Sequence, residues 1–152
     1  MPVLKVHPET PRGNLPECEV RLVDIHGVNT TTLLSSNSHV RAWLDRVSTS
    51  GCLFAGSGEG VRVDLAVTGA RIAADGNGED APDFRFAGTG KLNLLLESIM
   101  QERDIRLDVE PGTAVRVNGT ASVASVANLS PACGDAIKVR NQLKTYDGIG
   151  WR

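Results

Sequence analysis

Hydrophobic and polar positions alternate along much of this chain, and where strict alternation lapses the spacing predicts helices. Glu19 to Ile25 reads as a strand with Val20 and Leu22 on one side. Val40, Trp43, Leu44 and Val47 fall at i, i+3, i+4 and i+7 behind an Asn37-Ser38 cap, which predicts a short amphipathic helix ended by Gly51. Cys52 to Ala55 reads as a buried strand. The run Gly56-Ser57-Gly58-Glu59-Gly60 turns it into Val61 to Thr68, where Val61, Val63, Leu65 and Val67 share a face, so a hairpin is expected. Ala70 to Ala74 and Asp83 to Ala87 form a second expected antiparallel pair, joined by a segment of turn residues from Asp75 to Pro82.

The period then changes. Leu92, Leu95, Leu96, Ile99 and Met100 line one side of a predicted helix from about Thr89 to Arg103. Ile105, Leu107 and Val109 alternate up to Pro111-Gly112. A two-residue turn at Asn118-Gly119 would mix apolar and polar partners, so Val115 to Val123 is expected to run as one unbroken strand, with Gly119 at a bulge or close approach. A last strand covers Ala136 to Val139. The expected organisation is an extended N-terminal arm with one strand over 1–37, a β-barrel domain over 38–140 and a C-terminal tail over 141–152. Four prolines, at positions 2, 8, 11 and 16, give the arm its character, and an ordered arm implies contact with its own domain or a neighbour.

Composition narrows the functions open to such a domain. The 152 residues suit one core, and 16 basic against 18 acidic residues leave a formal charge of −2 with no basic stripe, which disfavours nucleic acid as a partner. Cys18, Cys52 and Cys133 are odd in number and far apart, so reduced thiols and a cytoplasmic setting are expected. The N-terminal residues lack the apolar run of a signal peptide, and no stretch has the roughly 18 apolar residues of a membrane span. His7, His26 and His39 have no partner at metal-ligand spacing, and Ser130 to Asp135, with Cys133 alone, forms no ligand set, so no metal is expected. No G-x-S-x-G elbow is present.

One segment suggests anion binding. Gly88-Thr89-Gly90-Lys91 opens the second predicted helix, where amides and an ammonium favour a phosphate, although an ordinary glycine turn with a solvated lysine remains the alternative. It is not a P-loop, because Arg85 stands where the first glycine is required.

The order of these elements resembles the FMN-binding split barrel of the pyridoxamine-phosphate-oxidase-like family. Val40 to Gly60 looks like that family's first helix and strand, and Arg62-Val63-Asp64 like the start of its second strand. Gly88 to Leu95 looks like its phosphate-contacting turn and helix, and Pro111 to Ala121, with Arg116-Val117-Asn118-Gly119, like its RVNG-x-A strand. The resemblance implies an α+β fold: a mainly antiparallel, split-barrel-like β-barrel with two amphipathic helices. It also implies a homodimer with flavin between subunits, the phosphate near Thr89 and Lys91 and the ring beside the strand carrying Arg62. Ala66-Val67 stands where many members have Ser-Pro, and the carboxy-terminal RS-x-LW end is absent, as in a barrel with a degenerated cofactor site. Two functions are therefore expected: an oxidoreductase-like flavin protein, or a non-enzymatic structural subunit of a larger assembly such as a phage virion or tail. In either case the partner is the chain itself rather than nucleic acid or membrane.

Overall fold

A computed structural model describes residues 2–6, 18–27, 32–74 and 82–152, and every regular element among them is a strand. The expected turn over 75–81, His7 and three of the four prolines lie outside the described residues. The chain winds as a parallel β-solenoid of five coils, each contributing strands to successive sheets. The first sheet stacks β1 (Pro2–Val6), β4 (Thr32–Ser36), β7 (Cys52–Gly56), β10 (Phe84–Phe86) and β13 (Leu107–Val109). The second stacks β2 (Cys18–Val23), β5 (Val40–Asp45), β8 (Arg62–Val67), β11 (Lys91–Leu96) and β14 (Ala114–Gly119). The third stacks β3 (His26–Gly27), β6 (Val47–Thr49), β9 (Ala70–Ile72) and β12 (Ile99–Gln101). All neighbours within these three sheets pair in parallel.

This overturns the antiparallel barrel with two helices. Both segments expected to be helical are strand, corner, strand: β5 and β6 in one coil, β11 and β12 in another. The reason is geometric. Val40, Ala42 and Leu44 alternate inward, the chain turns at Arg46 in the left-handed region with φ 52°, and Val47 points inward again. A period of two interrupted by a one-residue corner reproduces i, i+4, i+7, the spacing of a helix face. Leu92, Leu94, Leu96 and Ile99 repeat it, with the corner at Ser98, φ 54°. The residues that completed the apparent helix stripes, Trp43 and Leu95, point outward.

The expected hairpins also disappear. The glycine run 56–60 is a corner between the first and second sheets, so β7 and β8 belong to different sheets. Ala70 to Ile72 pairs with β6 and β12, and Phe84 to Phe86 with β7 and β13, never with each other. Val115 to Val123 is not one strand: β14 ends at Gly119, and β15 (Ser122–Val123) starts a further sheet after a corner at Thr120-Ala121. Of the region expected as an arm, the described residues contribute β1 to β4 to the stack rather than one strand.

Side chains inside the solenoid align in ladders because the pairing is in register. Val20, Ala42, Leu65, Leu94 and Val117 make one ladder, returning after 22, 23, 29 and 23 residues. Leu34, Phe54, Phe84 and Leu107 make another, with both phenylalanines and Leu34 fully buried. Like stacks on like, filling the interior at constant width from coil to coil. A buried ion pair ties two corners: Arg103 donates to both carboxylate oxygens of Asp83, at 2.7 and 2.8 Å, and to the Ala73 and Asp104 carbonyls. Asp83 also accepts from the Arg106 amide, so no charge there is left uncompensated.

The two ends of the stack differ. At the C-terminal end, residues after Gly119 return to cap the last coil. The Gln101 side-chain amide substitutes for a strand, donating to the Ser122 carbonyl at 2.9 Å and accepting from the Ser122 amide at 2.7 Å. Beyond it β15 pairs in parallel with β16 (Ala136–Val139), which forms an antiparallel hairpin with β17 (Gln142–Thr145). The expected tail thus contains a strand, and Tyr146 packs against Trp151. No helix among the described residues is long and apolar enough to cross a membrane.

Gly119 sits at φ 135°, and a Cβ there would collide with the Leu96 backbone. Gly119→Ala is therefore expected to destabilise the protein by about 1–3 kcal/mol. Chemical denaturation with an unchanged midpoint would contradict this placement of the corner.

Candidate functional site

The second sheet, five strands of up to six residues, presents an outer face that is chemically varied along its length. Alternation places one residue in two outward on every strand, and register aligns these outward residues into rows along the solenoid axis. One row runs Glu19, Arg41, Asp64, Asn93 and Arg116. Beside it runs Arg21, Trp43, Ala66, Leu95 and Asn118. Arg62 and Lys91 are direct register partners on the other side of the first row.

The first row is polar and internally bonded. Asn93 donates to Asp64 at 2.8 Å, Arg62 lies 3.3 Å from the other Asp64 oxygen, and Arg41 lies 4.0 Å from Glu19. Arg116 makes a two-pronged contact with Asp135 at 2.7 and 3.1 Å. The second row is mostly apolar. The Arg21 guanidinium covers the Trp43 ring at 4.3 Å from its centroid, a cation–π contact. Ala66, small and next in the row, leaves a notch between Trp43 and the 40% exposed Leu95. Both rows line a groove of about 340 Å³. A second depression of about 420 Å³ adjoins it, sharing Asn93 and Arg116 and adding Arg62, Lys91 and Ser130.

Of the residues expected to hold the flavin, Thr89 and Lys91 at the phosphate and Arg62 beside the ring, the structure brings Arg62 and Lys91 together and assigns Thr89 elsewhere. Thr89 lies in the corner between β10 and β11, stacked on the corner 56–60 of the preceding coil. Its amide donates to the Gly58 carbonyl at 3.1 Å, and its hydroxyl accepts from the Gly60 amide at 3.3 Å. The Lys91 amide is likewise taken by the Val61 carbonyl, at 2.7 Å. No helix N-terminus exists at this turn, so the amide cradle expected there is absent. With the barrel goes the geometry on which FMN was placed. The Lys91 side chain is exposed and makes no ion pair among the described residues.

Sequence reasoning missed Arg41, Trp43, Ala66, Asn93 and Arg116. The signal that could have found them is the repeat of apolar-x-apolar-x-apolar beginning at Cys18, Val40, Val63, Leu92 and Val115, whose x positions are these outward rows.

The remaining chemistry-bearing groups have structural roles. Cys52 is buried, donates to the Phe54 and Asp83 carbonyls, and its thiol is pushed up to about 11, chiefly by burial. It is therefore protonated and inert at neutral pH. His39 Nδ1 accepts from the Arg62 amide at 2.9 Å, and His26 Nδ1 shares a 2.7 Å hydrogen bond with the Ser48 hydroxyl. No group of three or more metal-ligating side chains occurs among the described residues. No family model, curated protein or solved structure matches the chain.

Asp135 joins the outward face to the C-terminal cap. It is almost wholly buried, and the hydrogen bond from Arg116, aided by the Ala132 amide, lowers its carboxyl from 3.8 to about 2. A carboxyl depressed on folding stabilises the native state above its unfolded value, and that contribution is lost as the pH falls through the folded value. Between about pH 4 and pH 2 the protein is expected to lose about 1–2 kcal/mol from this pair, with Arg116 half-exposed and partly screened. Asp135→Asn should flatten that part of the pH–stability curve and lower stability at pH 7. Identical urea midpoints for the two proteins at every pH would exclude the coupling.

Proposed function

We propose that this chain is a non-enzymatic assembly module, a rigid β-solenoid that joins a second copy through its N-terminal end. The observation that carries this is the asymmetry of the two ends. Buried backbone groups must find partners, so the far edge of each terminal strand is a question of accounting.

At the C-terminal end the returning chain takes part of these groups. Ser130 donates to the Val115 carbonyl, Ala136 to the Asn118 side chain, Asn128 to the Val109 carbonyl and Lys138 to the Ala121 carbonyl. At the other end β1, β2 and β3 are all edge strands, and no described strand pairs with their far sides. The Cys18 and Asp24 amides point to β5, donating to the His39 and Asp45 carbonyls. By alternation, the backbone groups of Glu19, Arg21 and Val23 face the open edge. Val3 and Val23 are about half exposed beside it. An open edge of this kind is a template for another strand.

Among the described residues the last coil is partly covered by the returning chain and the first is not, so the joint is placed between first coils. Two open ends can meet, and that contact is isologous and closes at two copies. The expected homo-oligomer is retained in this form, with the joint in the first coil.

The native mass is expected to be twice the 16.2 kDa of one chain. Val23→Pro removes an edge-facing amide without touching a bond to β5, so it should give a folded monomer. A wild-type monomer at micromolar concentration, or a dimer that survives Val23→Pro, would remove the N-terminal joint.

A further inference from the structure

The notch at Ala66 and the cations beside it form a site that the assembly role does not use. Adjacent strands are about 4.8 Å apart, so Trp43 and Leu95, two strands apart, stand about 9–10 Å from each other across Ala66. After the thickness of the indole and of the leucine side chain, the gap admits one ring. One face of Trp43 is covered by Arg21, which leaves the opposite face toward Ala66 as a wall for that ring. The polar row Arg41, Asp64, Asn93 and Arg116 runs alongside, offering donors, acceptors and an amide that is both.

The adjoining depression supplies charge. Arg62, Lys91 and Arg116 converge on it, while the carboxylates that contact Arg62 and Arg116, Asp64 and Asp135, are a quarter exposed and nearly buried respectively. Lys91 is the exposed, uncompensated cation at its centre. An anionic group in this depression meets Lys91 directly, with Arg62 and Arg116 beside it already paired to Asp64 and Asp135, and a ring in the notch lies next to it across Asn93.

We propose that the juxtaposed notch at Ala66 and Arg62–Lys91–Arg116 cluster bind an acidic oligosaccharide, one sugar ring against Trp43 and the carboxylate of a neighbouring uronate on Lys91. The notch and the cluster lie four residues apart along the same two strands, β8 and β11, so the ligand is an extended chain whose neighbouring units cross the solenoid axis. Hydroxyl groups suit a row in which Arg41 and Asn93 donate and Asp64 accepts. An apolar ring face on an aromatic wall with polar groups around its rim is the pattern that pyranose rings satisfy.

Calorimetry on the full chain tests this, with oligogalacturonate, oligoalginate and hyaluronan fragments of four to eight sugars as probes and a neutral cello-oligosaccharide as control. At least one acidic probe should bind, and the neutral control about tenfold more weakly or not at all. Lys91→Gln should weaken the acidic probe by about tenfold and steepen no other property. Ala66→Leu, which fills the notch from an outward position, should abolish binding while leaving the thermal midpoint and the native mass unchanged. Failure of all three acidic probes would overturn the proposal, as would equal binding of the neutral control or unaltered affinity in Ala66→Leu. Tighter binding of FMN or of single-stranded DNA than of any saccharide would overturn it in favour of a phosphate-bearing ligand. Native mass is read in the same samples, so loss of the dimer and loss of the ligand site are separable.

Discussion

Parallel pairing in register, coil upon coil, is the constraint on which everything else in this molecule rests. Each strand bonds to the same element of the coil before and after it, so an inward position in one coil is inward in all of them. A residue that suits the interior must therefore recur at the same place in the sheet whatever the length of the connecting segment. The step from Leu65 to Leu94 takes 29 residues and the step before it 23, yet both keep the ladder. Corners absorb length; strands cannot, since a one-residue slip would turn the whole ladder outward.

The corners carry their own requirements. Asp24, Arg46 and Ser98 occupy the left-handed region at the same turn between the second and third sheets, and Arg46 bonds Asp24 with two contacts at 2.7 and 2.9 Å, so successive corners stack as the strands do. Between the first and second sheets the glycine runs at 56–60 and 88–90 stack in the same way. A Cβ at Gly88 or Gly90 would meet the backbone of the coil below. Glycine is needed there for close approach between coils and not to cradle a ligand. The motif that looked like a phosphate turn is explained by this stacking.

What could be read in the sequence was local and what could not was long-range. The alternation in Val61 to Val67 and in Ile105 to Val109 is that of half-buried strands, and both segments contain strands. The same alternation in Val40 to Val47 and Leu92 to Met100 was hidden, because an apolar residue on the outer face, Trp43 or Leu95, filled the gap that would have betrayed a strand. A lone segment cannot distinguish a helix stripe from a strand followed by a corner. Comparison between segments can, since the repeat beginning at Val40, Val63, Leu92 and Val115 places a corner at the same offset each time. Of the anticipated site, Lys91 was legible as a neighbour of an anion and Arg62 only through the resemblance, beside the ring, and their pairing depended on a register 29 residues apart. Arg116 and Asn93 joined them for the same reason and could not be placed without it.

The groove and the proposed joint draw on different parts of the same rows. The joint needs backbone groups on the outer edge of β2, whereas the notch and the cation cluster are built from β5, β8, β11 and β14. They meet at one contact, where Arg21 on the edge strand covers Trp43. That guanidinium packs on the indole from a strand that no described strand pairs with on its far side, so the wall of the notch is coupled to the first coil. Pairing of a second copy against β2 would fix Arg21, and through it Trp43, without any change in the interior. Two rigid solenoids joined in this way would hold their two sites at a fixed spacing, within reach of one long ligand. Effective concentration then strengthens the attachment of an extended chain with no further contact from either copy.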